Sequence, residues 1–194
     1  YYTPTGRCIQ KPYGDSIDYA GDFHNRLVNG ELTVADSTHY PDSLKFVTPG
    51  GRVVYGGGGI TPAVFVPLDS TYLNAILGEL TYAGIIRQYS FNYIDVKRKD
   101  FEKYKDGKEF LKKFQVSDAM VTELLGMAKA EGIAVTSANQ KKLSAELKNR
   151  VKAQFARHLY DDNTMYQVLL ESDKDFKKAM EVSKGSVKIA QNKH

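Results

Sequence analysis

The chain has 194 residues, 42% of them hydrophobic, and a formal net charge of +4 at neutral pH. That is enough apolar material for a packed core and argues against disorder. No apolar run approaches the roughly 20 residues a membrane helix needs, and the single cysteine, Cys8, excludes an internal disulfide. Tyr1 follows no initiator methionine and opens no signal-peptide pattern, so the chain is expected to begin inside a longer protein.

Charge and turn residues are unevenly spread. Residues 1–70 hold 5 Lys and Arg against 7 Asp and Glu, while residues 71–194 hold 22 against 16. All 6 prolines and 10 of the 16 glycines precede residue 71. The expected class is α+β, with a few strands and a β-hairpin first and helices afterwards. The expected boundary divides residues 1–69 from residues 70–194.

Residues 1–10, YYTPTGRCIQ, read as a strand with a turn or bulge at Thr3-Pro4-Thr5-Gly6. Cys8 between Arg7 and Ile9 reads as a small core residue rather than a reactive thiol. Asp15 or Ser16 can cap a helix with Ile17, Ala20, Phe23 and Leu27 on one face, stopped by Gly30. Leu32–Pro41 reads as loop. Leu44–Thr48 and Arg52–Tyr55 flank Pro49-Gly50-Gly51 as a hairpin.

Four glycines, Gly56–Gly59, then precede a β-rich run from Ile60 to Val66 that Pro62 interrupts and Pro67 closes. Such a run suits a sharp turn or a close backbone approach, and the strand after it reads as edge or bulged. A phosphate loop would need Lys-Ser/Thr opening a helix. Ile60-Thr61-Pro62 follows instead, so the turn is the reading kept.

After residue 70 the spacing becomes helical. Thr71–Leu80 pairs Tyr72 and Leu73 with Ile76, Leu77 and Leu80; after Gly84 a second helix carries Ile85, Ile86, Tyr89, Tyr93 and Val96 on one side. Ser117 is an N-cap, with Val116 and Val121 at the hydrophobic-staple positions, for a helix that Gly132 ends. Ser137 starts the longest helix, with the stripe Leu143, Leu147, Val151, Phe155 and Leu159 expected against the 118–131 helix. Asp161-Asp162-Asn163 precedes a short helix with Met165, Val168 and Leu169. Ser172 or Asp173 caps a last one bearing Phe176, Ala179 and Met180, with a frayed tail after Gly185. No sequence repeat is evident on this reading.

Two of these stretches resemble the carboxy-terminal processing (tail-specific) serine peptidases. Tyr1, Tyr2, Pro4, Gly6, Arg7, Ile9 and Gln10 fit the family's Tyr-Tyr-x-Pro-x-Gly-Arg-x-Ile-Gln strand. Gly58, Gly59, Ile60 and Pro62 fit its Gly-Gly-Ile-x-Pro-Asp strand, while Ala63 stands where the family has Asp. The helical remainder resembles the C-terminal extension of one bacterial branch more loosely. The resemblance implies an extracytoplasmic endopeptidase that cuts protein substrates near their C-termini. In that family a serine nucleophile is activated by a lysine of lowered pKa, beside a peptide-binding PDZ domain, and all three precede the first strand. No catalytic residue is therefore expected in this chain, and no cofactor. With Ala63 replacing the acid, Arg7 is expected to find Asp69, Asp42 or a carbonyl.

Other chemistries are weaker. His24, His39, His158 and His194 are not at metal-ligand spacing with one another or with Cys8, and no serine sits in a nucleophile elbow. His39 beside Asp36 and Ser37 reads as a loop coincidence. Lysines at 97–113 and 174–178, interleaved with Phe101, Tyr104, Phe110 and Phe114, raise a nucleic-acid reading. Acids at 100, 102, 106, 109, 173 and 175 make a solvated mixed-charge surface the better one. The expected partners are protein or peptide substrates, with self-association possible and no nucleic acid. The rival reading is a non-catalytic helical module for dimerisation or docking.

Overall fold

The computed structural model describes residues 2–11, 21–35, 41–60, 62, 64–69 and 74–191, with side chains up to 184. The expectations placed on Tyr1, on the caps Asp15 and Ser16, on Ile17 and Ala20, on the 36–39 loop, on Ala63 and on Thr71, Tyr72 and Leu73 fall outside these residues. The chain forms two compact units, Tyr1–Leu68 and Asp69–His194. The described elements are α+β: helices predominate after residue 74, and a two-stranded antiparallel sheet lies near the N-terminus.

In the first unit the strands are β1 (Lys45–Val47) and β2 (Val53–Tyr55), paired Lys45↔Tyr55, Phe46↔Val54 and Val47↔Val53. Their connection is the expected turn. Thr48 N–H donates to the Arg52 carbonyl at 2.9 Å, and Gly51 N–H to the Thr48 carbonyl at 2.8 Å. Pro49 presets the first corner, and Gly51 takes a φ of 77° that other residues avoid. The N-terminal stretch has the expected turn at Thr3–Gly6, which is a second copy of the hairpin turn. Thr3 N–H donates to the Arg7 carbonyl and Gly6 N–H to the Thr3 carbonyl, both at 2.9 Å, with Gly6 at φ 78°. Tyr2 and Cys8 form an antiparallel bridge across it. Thr-Pro-x-Gly-Arg thus occurs twice, at residues 3–7 and 48–52, as one five-residue device.

Two expectations for this unit are corrected. No described residue of 60–66 is in a strand, because Pro62 and Pro67 each remove a ladder donor. The helix α1 (Asp22–Val28) buries no residue, and its Phe23 and Val28 are exposed. Gly30 does stop it, at φ 82°, with Glu31 N–H returning to the Arg26 carbonyl.

The second unit holds the hydrophobic core, whose buried residues run from Leu77 to Val168. Helix α2 (Ala75–Tyr82) begins later than expected, because the Asn74 side chain caps it by accepting from Ile76 and Leu77 N–H. Gly84, at φ 70°, turns the chain into α3 (Ile85–Phe101). The buried face of α3 is Ile85, Ile86, Tyr89, Ser90, Ile94 and Phe101, and Val96 is 79% exposed. The expected face is thus displaced by the fully buried Ser90, whose hydroxyl donates to the Ile86 carbonyl at 2.7 Å. The backbone of α3 leaves helical values at Lys97.

Helix α4 (Gly107–Lys113) is capped by Asp106, and α5 (Asp118–Ala130) by Ser117, whose hydroxyl accepts from Met120 N–H at 3.3 Å. Gly132 ends α5 at φ 82°, with Ile133 N–H donating to the Ala128 carbonyl. The longest helix, α6 (Ser137–Leu159), starts from a Thr136 cap and buries Leu143, Leu147, Val151 and Phe155 completely. Its stripe is shared more widely than expected, with α3, α4 and α7 (Asp162–Leu170) as well as α5. Phe155 stacks on Tyr93 at 5.5 Å and meets Phe101 edge-on at 5.5 Å and Phe114 at 5.6 Å. Asp173 caps α8 (Lys174–Gln191) through Phe176 N–H at 2.8 Å, and this helix continues past Gly185 instead of fraying there. Its Phe176 and Met180 are exposed.

Candidate functional site

The structure brings the N-terminal turn and the glycine run together. Gly57 N–H donates to the Cys8 carbonyl at 2.8 Å and Gly59 N–H to the Ile9 carbonyl at 2.7 Å. Arg7 reaches the same place by side chain, Nη1 donating to the Tyr55 carbonyl at 3.3 Å. A carbonyl is thus the partner of this guanidinium.

Gly56 explains why glycine is required here. A Cβ on it would stand 3.0 Å from the Cys8 carbonyl oxygen, 3.2 Å from the Phe46 ring and 3.3 Å from Arg7 Cγ. Gly57 adds a φ of 78°. A Cβ on Gly58 or Gly59 would meet nothing within 4 Å, although Gly59 also has positive φ.

The outer residues of this junction are apolar and uncovered. Tyr2 is 78% exposed and Ile60 70%. Pro4, Gly6 and Pro62 are also exposed, while Ile9 and Gln10 are half-buried. Among the described residues of this unit no hydrophobic side chain is fully buried. Cys8 is half-buried rather than in a core, and its thiol points at the Gln10 carbonyl at 3.8 Å. A carbonyl cannot take a proton, so this contact does not activate the thiol. No cluster of three or more metal-ligating side chains occurs among the described residues.

The lysine-rich stretch offers no stacking platform. Phe101 and Phe110 are buried, and Tyr104 and Phe114 pack on the core. Glu109 pairs with Lys113 at 2.5 Å and accepts from Lys105 N–H, and these bonds hold its carboxyl below the usual carboxylate range.

A second site lies wholly within the helical unit and was not foreseen from sequence. A cavity of about 400 Å³ opens between α2, α3, α6 and α7. Arg87 from α3 and Arg150 from α6 line it, and Ile86, Ala153, Met165 and Leu169 supply apolar wall. No acid is among the described lining residues. Arg150 Nε donates to Glu146 at 2.6 Å, one turn away. Gln154 also lines the cavity, and its Oε1 is buried without a hydrogen-bond partner. Near this face burial, then the charges of Arg157 and Arg87, push the His158 imidazole pKa down.

Lys152 was likewise unmarked by spacing. It is 8% exposed, and its Nζ donates to the Leu111 carbonyl in the last turn of α4 at 2.7 Å. Burial pushes its pKa down, partly opposed by Glu171.

The fold and sites define an α+β chain with a glycine-tight turn junction followed by a helical bundle. Residues 76–161, from α2 to the cap of α7, are similar to a family of unknown function (DUF8443). No curated protein and no solved structure matches the chain.

Proposed function

We propose that this chain is the C-terminal part of a serine endopeptidase that cleaves protein substrates near their C-termini. The single observation that carries this reading is the junction of the two family-like stretches. Segments 48 positions apart meet through Arg7 and Tyr55, with Gly57 and Gly59 hydrogen-bonded to Cys8 and Ile9 beside them. Exposed Tyr2, Ile60 and Val53 around it suit an edge that further polypeptide of the protease core covers. On this reading the serine nucleophile and lysine base lie in chain preceding Tyr1, in an extracytoplasmic parent. The described residues act as scaffold: Gly56 allows the backbone approach, and Arg7 ties the N-terminal turn to β2.

The test is cleavage of an unstructured protein by two preparations, residues 1–194 and the full product of the coding sequence. The longer protein cleaves and loses activity when its upstream serine or lysine is replaced; residues 1–194 alone do not cleave. Acyl transfer needs nucleophile, base and oxyanion hole in one place, so their loss lowers rate by orders of magnitude. Cleavage by residues 1–194 that Cys8→Ser abolishes, or an inactive full product, defeats the proposal.

A docking role for the helical part is the second reading, and α8 favours it. Phe176 is 39% and Met180 46% exposed on a strongly amphipathic helix. Sedimentation that depends on concentration, and is lost in Phe176→Glu, supports self-association through it.

A further inference from the structure

The cavity of the helical unit presents three chemical demands at once. Its guanidinium groups ask for an anion: Arg87, which no ion pair among the described residues engages, and Arg150, held through Nε to Glu146, both line it, and no described lining residue is acidic. Its apolar residues, Ile86, Met165 and Leu169 among them, ask for a small hydrocarbon group. The Gln154 amide, whose Oε1 is sealed in without a partner, asks for a hydrogen-bond donor. Rotation about the terminal side-chain torsion is soft, so this amide can turn to meet a ligand N–H.

We propose that this cavity binds the C-terminal residue of a polypeptide chain. The terminal carboxylate meets Arg87 and Arg150, the last side chain enters the apolar wall, and the last peptide N–H donates to Gln154 Oε1. A cavity of about 400 Å³ is in the range that holds such a fragment. Arginine forks suit a carboxylate because its two oxygens accept parallel N–H bonds. A free amino acid fits less well, since its ammonium group would stand beside two guanidinium groups. Inorganic phosphate carries the charge but neither the donor nor the hydrocarbon. This proposal goes beyond the peptidase reading and does not rest on it: the cavity lies in the helical unit and takes part in no bond-breaking step.

The test is calorimetric titration of the purified 194-residue chain with N-acetyl-alanyl-leucine and with the same dipeptide as its C-terminal amide. The acid binds, and the amide binds about tenfold more weakly or worse, as expected for loss of a charge-assisted bond. Arg87→Gln, at an exposed position, lowers acid binding by a similar factor while leaving the melting temperature unchanged. Gln154→Met weakens acid binding with no loss of thermal stability, because it removes an unpaired buried acceptor. Equal affinity for acid and amide overturns the proposal. So does full affinity in Arg87→Gln, or leucine or inorganic phosphate binding as tightly as the acetylated dipeptide. Absence of binding at millimolar dipeptide overturns it too, without touching the proteolysis test above.

Discussion

Replacing Phe155 by alanine removes the ring on which the helical core converges. Phe155 is completely buried and touches the rings of Tyr93, Phe101 and Phe114, all within 5.6 Å between centroids. These neighbours come from α3 and from the segment after α4, and their backbones are fixed by other contacts, so the space left by the ring is only partly refilled. Loss of a buried phenylalanine with a residual cavity costs about 3–5 kcal/mol. The unit Asp69–His194 has about 125 residues, for which 1 kcal/mol shifts the melting temperature by about 4 °C. The expected drop is therefore about 12–20 °C. The assay is thermal melting by far-ultraviolet circular dichroism, with Val96→Ala and Ile94→Ala as comparisons. Val96 is 79% exposed and should shift melting by no more than about 2 °C, whereas Ile94, 4% exposed, should behave as a core residue. Equal shifts for Phe155→Ala and Val96→Ala would refute the placement of the core.

Three further outcomes are expected. Gly56→Ala drives a methyl group against the Cys8 carbonyl and the Phe46 ring; amide exchange of Gly57 and Gly59 should accelerate, and unchanged protection would sink the close-approach account. Ser117→Ala removes the cap of α5 and should cost about 1 kcal/mol in chemical denaturation, with Ser117→Asp retaining most of it. For Lys152, burial lowers the native pKa below the usual 10.5, so between those two values the native state binds fewer protons than the unfolded one and stability rises with pH. Melting temperatures of wild type and Lys152→Met should therefore diverge in favour of wild type as pH rises towards 10.5; parallel curves would show that the ammonium is not desolvated.

What was legible in the sequence was local. Pro49-Gly50-Gly51 between two apolar runs specified a hairpin because turn chemistry acts over five residues, and Ser117, Gly84, Gly30 and Gly132 marked helix boundaries for the same reason. The stripe of α6 was legible because four of its residues are fully buried at helical spacing. Tertiary facts were not. Ser90 sits in the core because its hydroxyl satisfies itself on Ile86, so a polarity pattern skips it and Val96 is promoted in error. Arg87 and Gln154 meet one cavity only when α3 and α6 pack, and Lys152 finds its carbonyl on α4, a distant element. One signal was overlooked: Thr-Pro-x-Gly-Arg appears at residues 3–7 and again at 48–52, and both copies adopt the same hydrogen bonds.

The pairing of Cys8 and Ile9 with the glycine run also has a kinetic side. The N-terminal turn and its partner are joined through a bond spanning 48 positions, so the chain between them must close a loop before the two locally formed turns are joined. Closure entropy grows only slowly with loop length, but non-local contacts form late and slow the folding of whatever depends on them. Four consecutive glycines lengthen the search, since an unfolded glycine has more conformations to abandon than any other residue. Helix α5, by contrast, carries its own cap and stop within 16 residues, Ser117–Gly132. During synthesis the Cys8 and Ile9 carbonyls therefore wait on the ribosome's output of Gly57 and Gly59, which alone among the described residues donate to them.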